Sequence, residues 1–258
     1  MQLSVFGLGH AGAVVAGCLV SQGHEVIAFD QDADKVDMLR RGLAPVNEPG
    51  LDGLIKEAVA SGKLTATTNV AEAVANSVLS AICAATPALS RDSRDLAEVT
   101  SICKQIGIAL GTKTKFHSIV LRTALPTDAT RGLLIPTLER ASAKRAGVDF
   151  GVAVYPAFLR RGSAIQDCIN PPAILFGVTD DETLARLREM EIALQAPEMV
   201  VDLAEAEAVT HADGRWPAVN AAGVNAAGVN GPAVNALAEK RSTTFPGFPI
   251  AANGLCSW

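Results

Sequence analysis

The chain has 258 residues, 49% hydrophobic and 4% aromatic, and its 27 acidic and 22 basic residues leave a net charge of −5. That is enough apolar mass for one large domain, or for a domain with an appendage. The negative balance argues against nucleic acid as a partner, and no apolar run is long enough to span a bilayer. Five cysteines, at 18, 83, 103, 168 and 256, form no CxxC pair; the odd count fits a reducing cytoplasm better than an oxidising compartment. The first residues run straight into a strand pattern, so no signal peptide is expected, and neither is a metal.

The first element in the chain is also the most informative. An apolar strand over 2–6 enters a turn carrying Gly7, Gly9 and Gly12, and a small-residue helix over 11–22 leaves it. A second strand, 25–29, ends in Asp30, 18 residues after Gly12. Strand, G-x-G-x-x-G turn, helix, strand and terminal carboxylate together form a dinucleotide-binding fingerprint. Gly7 permits the tight turn, Gly9 lets the backbone approach a pyrophosphate, and Gly12 lets the helix pack against the strand. The helix N-terminus offers unpaired N–H groups and a positive dipole end to phosphate. Asp30 is placed to accept hydrogen bonds from a ribose diol and to repel a 2′-phosphate, and Gln31 adds no compensating charge. NAD is therefore expected rather than NADP.

Further strands are predicted over 78–83, 117–122, 150–154, 173–177 and 198–202, with helices over 33–41, 50–60, 69–75, 95–110, 128–143 and 181–195. Asp180, Asp181 and Glu182 supply an acidic first turn for the last of these. Cys18 and Cys83 lie in apolar patterns and read as buried fillers. Alternating strands and helices with short connections imply right-handed crossovers and a parallel sheet. The fold class is thus α/β, a doubly wound, mostly parallel Rossmann sheet with a helical or irregular C-terminal appendage. The character changes after residue 203. Residues 204–209 continue as helix, 213–217 break it, Val-Asn then recurs every five residues between 218 and 235, and 245–250 is loop. The division expected is a dinucleotide-binding domain over 1–203 and a degenerate, low-complexity segment over 204–258.

Beyond the fingerprint, several motifs resemble the UDP-glucose/GDP-mannose dehydrogenase family, most of all its GDP-mannose 6-dehydrogenase branch. They are Phe6-Gly-Leu-Gly-His-Ala-Gly12, Asp30 with Lys35, Pro45-Val-Asn-Glu-Pro-Gly-Leu51, Ala85-Thr-Pro87, Ile135-Pro136, Ala146-Gly-Val-Asp-Phe-Gly151, Pro156 with Phe158-Leu-Arg160, Ala164-Ile165 with Asp167, and Pro171-Pro172. The resemblance runs over roughly residues 1–205. It implies oxidation of the C6 alcohol of a nucleotide sugar to an acid with two NAD, and an NAD domain followed by a central helical domain that dimerises. By resemblance, His10, Ala11, Asp30, Lys35 and Thr86 join Gly7, Gly9 and Gly12 in lining the NAD site. Lys35 either adds charge near the adenosine end or is a solvated helix lysine. Thr86 either positions a water or the nicotinamide side, or caps the next turn.

Four-electron oxidation needs a thiolate to attack the aldehyde, a base for the alcohol proton and a donor for the oxyanion. At the positions the resemblance assigns to those roles, the chain carries other residues. Ala124 stands for a water-positioning threonine, with Thr123 expected on the opposite face of the strand. Ala157 and Arg161 stand for two carboxylates, and Ala208 and Ala212 for a lysine and an asparagine. Gly254 aligns with the nucleophilic cysteine. Cys256 is either a displaced nucleophile or an incidental terminal thiol. No catalytic residue is assigned. The function expected is that of an NAD-binding domain from a nucleotide-sugar 6-dehydrogenase homologue, catalytically impaired on its own. The alternatives are an active oxidoreductase of that family and a non-enzymatic NAD-binding partner of a full-length paralogue. The sugar and the oligomeric state stay open.

Overall fold

In a computed structural model of the chain, the residues described are 1–86, 88–90 and 93–210. The expectations for Ala212, the Val-Asn repeat, the 245–250 loop, Gly254 and Cys256 lie outside them. The elements, in order, are β1 (Gln2–Phe6), α1 (His10–Ser21), β2 (Glu25–Phe29), α2 (Ala33–Arg40), α3 (Leu51–Ala60), β3 (Leu64–Thr67) and α4 (Val70–Ala75). Next come β4 (Leu79–Ile82), β5 (Ala88–Ser90), β6 (Ser93–Arg94), α5 (Ala97–Gly111), β7 (Ser118–Leu121) and a π-helical turn (Thr130–Leu134) running into α6 (Ile135–Ser142). The remainder are β8 (Gly151–Val154), α7 (Ala164–Ile169), β9 (Ile174–Val178), α8 (Asp181–Met190), β10 (Glu198–Val201) and α9 (Leu203–Thr210).

Eight strands form one sheet in the order β10-β9-β8-β7-β4-β1-β2-β3. The chain winds outward from β1 through β2 to β3, then returns to the other side of β1 at β4. This reversal opens a crevice above the carboxyl ends of β1 and β4, where open α/β sheets bind ligands. β1, β4, β7 and β8 are buried throughout apart from Gln2, because helices cover both faces. Ser4 and Ser80 are tolerated there because their hydroxyls bond each other at 2.8 Å and Ser80 Oγ also meets His117 Nε2 at 2.8 Å.

α1 is apolar all round and buried from Gly12 to Val20, since it lies between the sheet and the pair α3 and α7. It can lie so close because Gly12 has no side chain. A Cβ there would stand 1.7 Å from the Gly7 carbonyl oxygen.

The sheet is mostly parallel, as expected, with one antiparallel pairing: β8 and β9 run in opposite directions, so β9 and β10 oppose the other six strands. The helix expected over 128–143 is present as the π-helical turn running directly into α6, with Ile135 N donating to the Thr130 carbonyl five residues back. The helix expected over 181–195 stops at Met190. Four elements carried too little signal to foresee: the short β5 and β6, together with β3 and α7. β3 is a four-residue edge strand, Leu-Thr-Ala-Thr, and α7 is a single short helix before Asn170 and two prolines. Among the described residues no helix is long and apolar enough to cross a membrane.

Gly12→Ala is expected to cost about 1–3 kcal/mol, since neither the Gly7 carbonyl nor the buried helix can yield without moving the sheet. Urea denaturation checks it: the midpoint falls in Gly12→Ala and not in Gly53→Ala, where a Cβ meets nothing within 4 Å.

Candidate functional site

The crevice above β1 is shaped by the 7–12 turn. Gly7 has φ +96°, a conformation that L side chains rarely adopt, and its N–H donates to the Phe29 carbonyl at 2.8 Å. This bond ties the turn to the end of β2. Gly9 is the N-cap of α1 and supplies no side-chain cap, so the first N–H groups of the helix are left for another acceptor. A Cβ on Gly9 would meet no protein atom within 4 Å, in contrast to Gly12. Open space in front of uncapped helix N–H groups is the cradle a pyrophosphate requires.

Asp30 follows β2 directly and is buried. Its Oδ2 accepts from Leu8 N at 2.6 Å and its Oδ1 from Asp32 N at 2.9 Å. Each oxygen keeps a second lone-pair direction for a hydroxyl. Lys35 Nζ stands 3.5 Å from Asp30 Oδ2, with its side chain partly exposed. Glu98, on the first turn of α5, was not foreseen. Burial, reinforced by the charge of Asp30, pushes its carboxyl up. An acidic residue in a first helical turn ordinarily reads as a dipole partner, so no sequence signal marked it.

His10 opens α1, and its Nε2 lies 2.8 Å from Glu48 Oε2. Glu48 comes from the loop before α3 and is buried. It also accepts from Gly162 N and Ala164 N, both at 2.9 Å, at the start of α7. One carboxylate thus joins the dinucleotide turn to a segment more than a hundred residues away. Burial alone would raise the Glu48 carboxyl, but the Gly162 N–H, His10 and the Ala164 N–H outweigh it and hold it below its ordinary range. Glu48 belonged to a motif visible in sequence, but nothing in the spacing revealed these partners.

On the other side of the crevice, Thr86 Oγ1 donates to the Ala124 carbonyl at 2.8 Å and lies 3.3 Å from Thr123 Oγ1. Thr123 Oγ1 in turn donates to the Ala84 carbonyl at 2.7 Å. The opposite face expected for Thr123 held only if residue 123 continued the strand. β7 ends at Leu121, so strand alternation no longer governs residue 123. Ala124 and Ala157 are half-buried beside these strand ends, and Arg161 is exposed. Behind them Arg122 is buried, 3.4 Å from Glu191 Oε1 and stacked 4.1 Å over the Tyr155 ring. Burial pushes the Glu191 carboxyl up against the opposing pull of that guanidinium. Arg160 grips Asp167 through two side-chain bonds of 2.6 and 3.1 Å.

Fold and site together define a doubly wound dinucleotide-binding protein of the dehydrogenase type. Residues 1–193 match the NAD binding domain of the UDP-glucose/GDP-mannose dehydrogenase family. The chain belongs to that family, and NAD is its cofactor. It is 42% identical over 218 residues to a GDP-mannose 6-dehydrogenase of Azotobacter vinelandii, covering 84% of this chain and 50% of that protein. A UDP-glucose 6-dehydrogenase of Haloferax volcanii is 32% identical over 218 residues, covering 83% of this chain and 50% of the relative. The crystal structure of a ternary complex of GDP-mannose dehydrogenase from Pseudomonas aeruginosa superposes with a TM-score of 0.80 at 38% identity, covering 82% of this chain and 48% of that one. The chain spans about half the length of the relatives it matches.

The Glu48 clamp sets a pH dependence. Its carboxyl titrates lower in the folded chain than the ordinary value of 4.5, so it contributes stability that is fully present above pH 4.5 and is lost as the pH falls through the folded value. Glu48→Gln is expected to be less stable than the parent at neutral pH and to lose less on acidification below pH 4.5. Thermal midpoints of the two proteins across that range check it.

Proposed function

We propose that this chain is the NAD-holding part of a nucleotide-sugar 6-dehydrogenase of the GDP-mannose type, and that on its own it does not complete the oxidation. In this reading residues 1–203 form the NAD domain and 204–258 a degenerate counterpart of the central helical domain. The N–H groups at His10, Ala11 and Gly12 receive the pyrophosphate over Gly9. Asp30 holds the adenosine ribose, with Lys35 neutralising its charge and Gly7 setting the turn. Thr86, bonded to the Ala124 carbonyl, orients the nicotinamide side. When bound, NAD supplies a hydride acceptor. The chain's own contribution to the chemistry ends there.

The observation that carries this reading is the character of the strand ends around Thr86. Ala124 and Ala157 have no titratable group, Arg161 is exposed, and Cys83, the described thiol nearest the turn, is buried with its pKa pushed up to about 12. A base, an oxyanion donor and a thiolate nucleophile have no evident source there among the described residues.

Calorimetry with NAD, run beside NADH formation from GDP-mannose or UDP-glucose on the same preparation, tests the proposal. Binding without turnover is expected. Steady NADH production would instead make the chain an active oxidoreductase of that family. Gly9→Val is expected to abolish NAD binding by filling the pyrophosphate cradle, while changing stability by no more than about 1 kcal/mol. Undiminished affinity in that variant would remove the glycine turn from the site.

A further inference from the structure

α7 begins without a cap of its own. Ser163 is its N-cap residue, but the Ser163 side chain makes no cap hydrogen bond. The acceptor comes instead from Glu48, more than a hundred residues earlier. Glu48 Oε1 takes the Ala164 N–H and Oε2 takes the Gly162 N–H, both at 2.9 Å. The same Oε2 meets His10 Nε2 at 2.8 Å. One oxygen therefore serves the first turn of α1 and the turn entering α7 at once. The Glu48 side chain is 1% exposed, so water is not at hand to replace either bond.

The segment beyond that turn is laced to itself. Asp167 Oδ2 accepts from Arg160 N at 2.9 Å and from Ser163 Oγ at 3.2 Å, and Asp167 Oδ1 holds the Arg160 guanidinium at 2.6 Å. Residues 160–167 are thus joined internally through Asp167 and to the dinucleotide turn through Glu48. A displacement at either end of the Glu48 carboxylate reaches the other end, because the two donors share an oxygen.

We propose that Glu48 is a positioning residue that couples occupancy of the dinucleotide cradle to the order of residues 160–167. This rests on the reading that the pyrophosphate lies over Gly9. In that reading the phosphates draw on the main-chain N–H of His10, while its imidazole stays on Glu48. Phosphate binding fixes residue 10, the fixed imidazole holds Glu48 Oε2, and the fixed Oε2 holds the Gly162 N–H. Glu48 takes no part in the chemistry; it acts through His10. The relay runs both ways. By linkage, ordering residues 160–167 strengthens dinucleotide binding by the same factor by which binding orders them. The nicotinamide is no part of the relay, so the effect belongs to the pyrophosphate half of the cofactor.

Amide hydrogen exchange over 160–167, read by mass spectrometry on the full chain with and without saturating NAD, tests the coupling. NAD is expected to slow exchange there by about fivefold or more. ADP-ribose, which keeps the pyrophosphate and lacks the nicotinamide, should slow it equally. His10→Ala leaves both backbone N–H bonds to Glu48 in place, so its exchange without ligand should stay close to that of the parent. In this variant NAD should bind about tenfold more weakly and, at saturation, no longer slow exchange over 160–167. His10→Gln returns a side-chain donor and should restore the slowing. A parent chain that binds NAD by calorimetry with unchanged exchange over 160–167 would overturn the coupling and leave the pyrophosphate reading standing. Slowing by NAD but not by ADP-ribose, or slowing that survives in His10→Ala, would overturn it too. A parent chain that does not bind NAD would remove the pyrophosphate reading and the coupling with it. The exchange of the parent chain decides without relying on any variant.

Discussion

The approach of α1 to the Gly7 carbonyl is the constraint on which the rest depends. With no side chain at Gly12, the first turn of the helix lies against the strand it came from. The helix N-terminus is then aimed across the crevice rather than away from it. A larger residue would push α1 outward, and its apolar surface, buried on every side between the sheet, α3 and α7, would lose that enclosure. Helix packing and cofactor geometry are therefore the same interaction seen from two sides.

Two polar connections build on that placement. Asp30 accepts the Leu8 N–H and so holds the glycine turn to the end of β2, while the same carboxylate keeps acceptor capacity for a ligand. Glu48 draws His10 and the start of α7 together in the interior, where a carboxylate is stable only because three donors satisfy it. Both are buried carboxylates at the rim of the crevice. Removing either would leave backbone N–H groups without acceptors as well as losing a charge.

The carboxyl edge of β7 and β8 has a different character. Arg122, Tyr155 and Glu191 form a buried cluster packed on Phe176, with the Tyr155 and Phe176 rings edge to face at 4.9 Å. This cluster holds the strand ends together through packing and charge pairing. Alanines at 124 and 157 border it where the family resemblance calls for functional groups.

Much of this was legible in the sequence. Period-two and period-3.6 patterns located seven of the sheet strands and most helices within a residue or two, because long buried segments leave unbroken apolar runs. The fingerprint is local, so Gly7, Gly9, Gly12 and Asp30 could be read as a group. Three things were decided only by the tertiary structure. The antiparallel pairing of β9 with β8 is set only where the two strands meet in the sheet. The orientation of Thr123 depends on where β7 ends. The meetings of Glu48 with His10, Gly162 and Ala164 join residues that are far apart along the chain. Sequence spacing encodes which face of its own helix or strand a residue occupies. It does not encode which other face will be pressed against it, since that follows from the packing of whole layers.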